Sequence, residues 1–258
     1  MRVFDFTKAI VRAPAPSVVH GLRSGSSPDP DFEKLCAEHR AYVSALRDAG
    51  LSVDELPPLD AFPDSVFVED PAFVIPQGAI LLRPGAPSRL GEREHMYEAL
   101  RRHFGRVHEL ADGQYADGGD VLITPKTVFI GLSKRTSRAG GEALRSALKL
   151  LGRDARIVQT PPSILHFKTA SSLLDDETVL ATRAMADSGV FEGFRLVVAA
   201  QGEEAAANAL RVNDTVFIGD RFPKTRELIR KHGLSVKTLA VTEIAKLDAG
   251  LSCMSLRW

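Results

Sequence analysis

The chain has 258 residues, 44% apolar and 26% charged, with 33 basic and 33 acidic side chains and a formal net charge of zero. That length can bury a substantial core. The balanced charge excludes the one-sided basic face that nucleic acid or an anionic membrane surface requires, and no run approaches the ~20 apolar residues of a membrane span.

Near the start, Asp5, Lys8 and Arg12 interrupt the apolar positions, so the segment does not read as a signal peptide. Cys36 and Cys253, the only cysteines, are too few for a disulfide framework and lack metal-ligand spacing. These features predict a cytoplasmic protein with neither nucleic acid nor membrane as partner.

Residues 3–17 are expected to form a strand, and residues 31–50 an amphipathic helix stopping at Gly50. The segment 65–89 then reads as a hairpin whose first strand includes Val66, Phe67 and Val68, followed by a helix over 93–105. Similar hairpins are expected at 120–138, 171–184 and 208–227, and helices at 140–152 and 224–233. A fifth copy needs both termini, with 250–258 as partner of 3–17. Recurrence every roughly 40–70 residues points to a pseudo-symmetric array, with a generic α/β sandwich as the alternative. Neither GxGxxG nor GxxxxGK[ST] occurs, which removes the common phosphate-binding loops.

Several residues could carry chemistry. Cys253, in GLSCMS, follows Gly250 and Asp248 and is a candidate nucleophile, whereas Cys36 fits a packed helix face. His166 in LHFK lies in a mostly apolar stretch and could act as acid and base; His95, His103, His108 and His232 sit in polar stretches and read as solvated. Glu69 and Asp70 end the expected strand 66–68, and carboxylates between buried strands must be paired or bind a cation. Asp117 and Asp120 bracket Gly118 and Gly119, a pair that reads either as a hairpin turn or as a close backbone approach to a ligand. No His or Cys stands at ligand spacing beside these carboxylates, so a metal there is disfavoured.

Taken in order, FVED (67–70), PGAPSR (84–89), DGGDVL (117–122), GLSKRTS (131–137), LHFK (165–168) and LSCMS (251–255) resemble the dimethylarginine dimethylaminohydrolase family of the guanidine-modifying (pentein) superfamily. The resemblance runs from about Leu22 to Cys253. It implies a five-bladed pseudo-symmetric α/β propeller of ββαβ-type repeats, forming a single catalytic domain over residues 1–258. It also implies hydrolysis of N-methylated arginine to citrulline and methylamine or dimethylamine, without a cofactor and with a small molecule as partner. By motif, Cys253 is then the nucleophile, His166 the acid/base and Asp117 its supporting carboxylate. Asp64, Glu69 and Asp70 line the cationic end, and Arg89 and Arg135 hold the substrate carboxylate. Leu22 and Leu247 offer backbone carbonyls, with Asp248 beside them. Zinc on Cys253 would be an inhibitor. A homodimer stays open, as does a role in nutrition or in nitric oxide regulation.

Physical chemistry agrees with those roles. Carboxylates hold a planar guanidinium by paired, charge-assisted hydrogen bonds, and a neighbouring cation favours the thiolate of a cysteine whose free pKa is ~8.5. The Ser-, Gly- and Pro-rich stretch 23–31 reads as a mobile loop able to close over the site, and Met254 has no evident role beside the nucleophile. Arginine deiminase is the nearest rival but needs a longer chain; agmatine deiminase would leave two arginines idle. A non-enzymatic propeller binding protein would have no use for Cys253 with His166.

Overall fold

The computed structural model describes residues 2–25 and 27–258. Its strands form five three-stranded sheets, each built the same way. The chain enters with β1 (Lys8–Arg12), α1 (Phe32–Asp48) and β2 (Ser52–Leu56), with β2 parallel to β1. Next come β3 (Ala72–Ile75), β4 (Gly78–Leu81), α2 (Glu92–His103) and β5 (Val107–Glu109). The third unit is β6 (Val121–Ile123), β7 (Val128–Leu132), α3 (Arg138–Leu150) and β8 (Ala155–Gln159). The fourth is β9 (Ser171–Leu173), β10 (Thr178–Ala181), α4 (Arg183–Asp187) and β11 (Arg195–Val198). The fifth is β12 (Leu210–Val212), β13 (Thr215–Gly219), α5 (Pro223–Lys231) and β14 (Ser235–Leu239). Finally β15 (Leu256–Arg257) pairs antiparallel with β1 and completes the first unit. In every unit the first two strands are antiparallel and the third is parallel, reached through the helix, as a parallel crossover requires.

Side-chain alternation explains why the middle strands read as unbroken apolar runs. Their successive residues point to opposite faces, and both faces are buried against a neighbouring unit. Val128 and Ile130 of β7 pack towards β3 and β4, whereas Phe129 packs towards β9 and β10. The same split occurs at Leu180 against Val179 and Ala181, at Phe217 against Val216 and Ile218, and at Ile80 against Ala79 and Leu81. The core is therefore five wedges, each shared by two adjacent units, and the last wedge joins β12 and β13 to β1 and α1. That closes the ring. The five-bladed propeller that the family resemblance implies is the observed architecture, in keeping with the pseudo-symmetric array read from the repeats.

Two elements differ from expectation. Residues 66–68 are buried but turned: the Phe67 N–H donates to Asp64 O at 2.9 Å, and Phe67 O accepts from Arg89 Nη2 at 2.9 Å. A side chain satisfies backbone that a ladder would otherwise satisfy. The short α4 was not anticipated; it is capped by Thr182, whose Oγ1 accepts from Met185 N. Two expected solvated histidines are half-buried, with His103 bonded to Asp54 at 2.7 Å and His108 beside β4. No helix among the described residues is long and apolar enough to cross a membrane.

Gly140, in the first turn of α3, shows how tightly a blade is seated, because a Cβ there would lie 1.8 Å from Tyr115 O. Gly140→Ala should destabilise despite a helix-propensity gain of about 1 kcal/mol, since both backbones must part. A net loss of about 1–3 kcal/mol is expected as a lower Tm in calorimetry; an unchanged or higher Tm would refute this contact.

Candidate active site

Four turns carry the candidate carboxylates, histidine and cysteine: the turn before β3, the Asp117–Asp120 turn before β6, the His166–Thr169 turn before β9 and the Leu251–Met254 turn before β15. Crowding dictates the glycines between them. A Cβ on Gly118 would lie 1.9 Å from Glu69 O, and one on Gly119 would lie 2.9 Å from both Asp70 Oδ1 and His166 Nδ1. The close approach these glycines permit is to the protein itself, at Gly118 to the Glu69 backbone carbonyl and at Gly119 to the Asp70 carboxylate and His166 imidazole.

His166 is 8% exposed, and its Nε2 lies 3.0 Å from Asp117 Oδ2. Asp117 is fully buried, and its Oδ1 accepts from Gly85 N at 2.7 Å. Burial lowers the imidazole pKa, but Asp70, Asp117 and Asp120 outweigh it and lift His166 to about 9. The apolar neighbourhood read along the chain is thus reversed in space. Asp120 is pushed up to about 6 by burial and accepts from Ser133 Oγ, Thr136 Oγ1 and Phe167 N. It anchors the histidine turn rather than facing a ligand.

Asp70 is the shared neighbour. Despite burial, His166 and Arg89 hold its carboxyl below the usual range, and its charge acts on both His166 and Cys253. Asp64 is buried, which raises its pKa, and its Oδ1 accepts from Leu22 N at 2.9 Å. Cys253 lies in the 3-10 turn Leu251–Met254, half-buried, and its carbonyl accepts from Glu69 N at 3.2 Å. Burial, then the charges of Glu69 and Asp70, push its thiol up to about 12. An unliganded site therefore holds a thiol, and a cation among these carboxylates would favour its ionisation.

Two expected ligand groups are otherwise engaged. Arg89 is 4% exposed and faces Glu92, Asp70, Asp64 O and Phe67 O at 2.5–3.2 Å. In place of the open clamp on a substrate carboxylate expected for it, the guanidinium here lies behind Asp64 and Asp70, whose charge it balances. Glu69 likewise binds Lys168 Nζ at 2.5 Å, Arg257 Nη2 at 3.3 Å and Ser252 Oγ at 2.9 Å. It supports the cysteine turn instead of presenting an open carboxylate. Arg257 lies outside every motif read in the sequence, and Lys168, though it closes LHFK, has no role assigned there.

Arg135 remains partly open at 21% side-chain exposure, with Nη1 4.0 Å from Asp117 Oδ2. Its backbone packs on Gly85, where a Cβ would lie 2.3 Å from Arg135 O. Leu22 is 38% exposed, whereas Leu247 is buried against Gly21. Asp248 adopts a left-handed φ of 56° and accepts from Ser24 N and Oγ at 2.5 and 2.8 Å. The stretch 23–31, expected as a mobile loop, is also tied by Arg23 to Asp29 at 2.7 Å; Ser26 lies outside the described residues. Met254 is a core residue packed with Tyr42 and Leu46.

Asp70, Asp117 and His166 have donor atoms within 4.8 Å of one another, a proximity that sequence spacing did not reveal. Each is already hydrogen-bonded to Arg89, Gly85, Gly119 or its neighbour in the group. The set therefore resembles a proton-handling cluster more than an open chelate. A separate cavity of about 220 Å³ lies on the propeller axis, lined by β3, β6, β9, β12 and β15. Glu69, Lys168, Ser252 and Arg257 border it, and those cations are already paired with Glu69.

The pH consequence follows from the sign of the His166 shift. A pKa of about 9, above the unfolded value of ~6.5, means the stabilisation is complete below pH ~6.5 and is lost as pH rises through about 9. Urea unfolding should show stability falling across that window by up to about 3 kcal/mol. In His166→Asn the His-dependent fall should vanish; parallel pH profiles for the two proteins would contradict the carboxylate field described above.

The family described as N,N dimethylarginine dimethylhydrolase, eukaryotic, matches residues 24–182. N(G),N(G)-dimethylarginine dimethylaminohydrolase from Pseudomonas aeruginosa is 35% identical over 98% of this chain and 100% of its own. The protein of the same name from Streptomyces coelicolor is 35% identical over 97% and 96%. A structure of the Pseudomonas protein, as a Cys-to-Ser mutant complexed with citrulline, superposes with a TM-score of 0.96 at 35% identity, covering 99% and 100% of the two chains. With a closed ring of five ββαβ units and Cys253, His166 and Asp117 on its loops, the chain belongs to the dimethylarginine dimethylaminohydrolase family.

Proposed function

We propose that this protein hydrolyses Nω-methylated L-arginine to L-citrulline and dimethylamine or methylamine, acting as a single catalytic unit over residues 1–258. The observation that carries the reading is His166, bonded to Asp117 and lifted to about 9 against burial by Asp70, Asp117 and Asp120, the first of which also acts on Cys253. The citrulline complex of the Pseudomonas relative supports the product.

The chemistry balances. A guanidinium entering beside Asp64, Asp70 and Asp117 offsets the charges that hold the Cys253 thiol neutral, so the thiol releases its proton to solvent. The thiolate attacks the guanidinium carbon and gives a neutral tetrahedral adduct. His166, already an imidazolium at neutral pH, protonates the departing amine, because an amide anion cannot leave. The C–N bond breaks and leaves a cationic S-alkylthiouronium beside the carboxylates. Neutral His166 then takes one proton from water as it attacks, giving a neutral tetrahedral adduct. As the C–S bond breaks, the adduct's hydroxyl proton passes to the departing sulfur, which releases citrulline and restores the Cys253 thiol with which the cycle began. Asp117 holds His166 for both transfers.

Arg135, partly open at the site's edge, suits the substrate carboxylate through its planar fork. Leu22, Leu247 and Asp248 form the flank on which the substrate's amino end would lie. Balanced charge and two free cysteines support a cytoplasmic enzyme with a small-molecule partner.

Citrulline release should be measured from asymmetric dimethylarginine, monomethylarginine, arginine and agmatine side by side. Turnover of the methylated pair with little on the other two is expected; a preference for arginine or agmatine would move the reading to a deiminase. Cys253→Ser should abolish turnover with Tm preserved, and retained activity would exclude Cys253 as nucleophile. Arg135→Ala should raise KM by about tenfold or more with kcat largely kept. Arg89→Met should instead lower stability by about 3–5 kcal/mol, because it strands buried Asp70 and Glu92; a selective KM effect there would restore Arg89 as a carboxylate clamp.

A further inference from the structure

Cys253 and His166 reside on separate turns, and one side chain from a third segment ties those turns together. Asn208 stands between the 3-10 turn Glu204–Ala207 and β12, at the start of the 208–227 hairpin and outside the motifs that carry the family resemblance. Its Nδ2 donates to Lys168 O at 2.9 Å, within the histidine turn. The same Nδ2 donates to Ser252 Oγ at 3.2 Å, and its Oδ1 accepts from Ser252 N at 3.1 Å, in the cysteine turn.

The contact is also steric. A Cβ on Gly250 would lie 2.4 Å from Asn208 Oδ1, so the residue opening the cysteine turn must be small for the amide to seat. Ser252 in turn donates to Glu69 Oε2 at 2.9 Å, and Lys168 Nζ binds Glu69 Oε1. Both catalytic turns therefore meet twice, once through the neutral amide and once through the carboxylate.

From this geometry we infer that Asn208 is a positioning residue for the proposed hydrolysis, setting the Cys253 turn against the His166 turn without touching substrate. An amide is the group required there. It offers two donors and an acceptor in one plane, matching Lys168 O and Ser252 Oγ on one side and Ser252 N on the other. A carboxylate of the same shape would place an acceptor against Lys168 O, and alanine would leave Lys168 O and Ser252 N unpartnered and Ser252 Oγ with Glu69 alone. Two reacting groups displaced by about 1 Å can lose about 100-fold in rate, so the effect belongs in kcat rather than in substrate affinity.

The inference rests on the proposed function for its kinetic readout, and a second readout separates the two. Asn208→Asp and Asn208→Ala should lower kcat for the methylarginine that wild type turns over by about 10–100-fold, with KM within about threefold. The pH profile of Cys253 alkylation by iodoacetamide, which needs no turnover, should shift in both variants. Asn213→Gly serves as control: it removes comparable bonds to Phe6 N, Phe6 O and Ala49 O in a loop remote from the catalytic turns. It should lower Tm while leaving kcat and the alkylation profile unchanged. If the Asn208 variants lose Tm alone, with kcat and alkylation as in wild type, Asn208 is only structural and the inference fails. If wild type turns over none of the substrates, the proposed function fails, and the alkylation profile still decides whether Asn208 governs the Cys253 environment.

Discussion

Placing several carboxylates in a dry interior around one imidazole is the constraint on which the site depends. Asp70, Asp117 and Asp120 are each 5% exposed or less, and an unpaired buried charge is costly. The molecule answers with a sealed arginine, hydroxyl and backbone N–H donors, and an imidazole kept charged. Arg89 is committed on one side of Asp70, while His166 faces it on the other. Asp120 is satisfied by Ser133, Thr136 and Phe167. What remains unmet is the field at Cys253, whose thiol is pushed up to about 12. That residual imbalance is one a nearby cation would relieve, since Glu69 and Asp70 are the charges that disfavour the thiolate.

The ring architecture makes this possible. Each blade buries both faces of its middle strand against two neighbours, so the turns leading into the first strands are held by rigid scaffold on either side. Loops on such a frame can keep glycines packed directly against carbonyls, as Gly118 packs against Glu69. Closure also brings the C-terminal strand β15 beside β1 and β3, which delivers Cys253 to turns that precede it by more than eighty residues.

Much of this was legible in the chain. The hairpin repeats, the helices stopping near glycine, and the need for both termini in one blade follow from local apolar periodicity and turn residues, and all are observed. Cys253, His166 and Asp117 stood out by residue type and motif. The partners of Arg89 were not legible, because only the fold shows Glu92 and Asp70 facing its guanidinium. Residues 66–68 misled for a related reason: a buried apolar run looks like a strand whether a ladder or a side chain satisfies its backbone.

By itself, then, the sequence determined the repeat architecture and the chemical cast, since local periodicity, turn residues and rare reactive side chains act at short range. Tertiary structure alone decided which charges oppose one another. His166 is apolar in its sequence neighbourhood yet lifted to about 9 in space, and Asn208 joins turns about forty residues away on either side. Electrostatic fields and bridging hydrogen bonds depend on through-space distance and burial, which the order of residues along the chain does not encode locally.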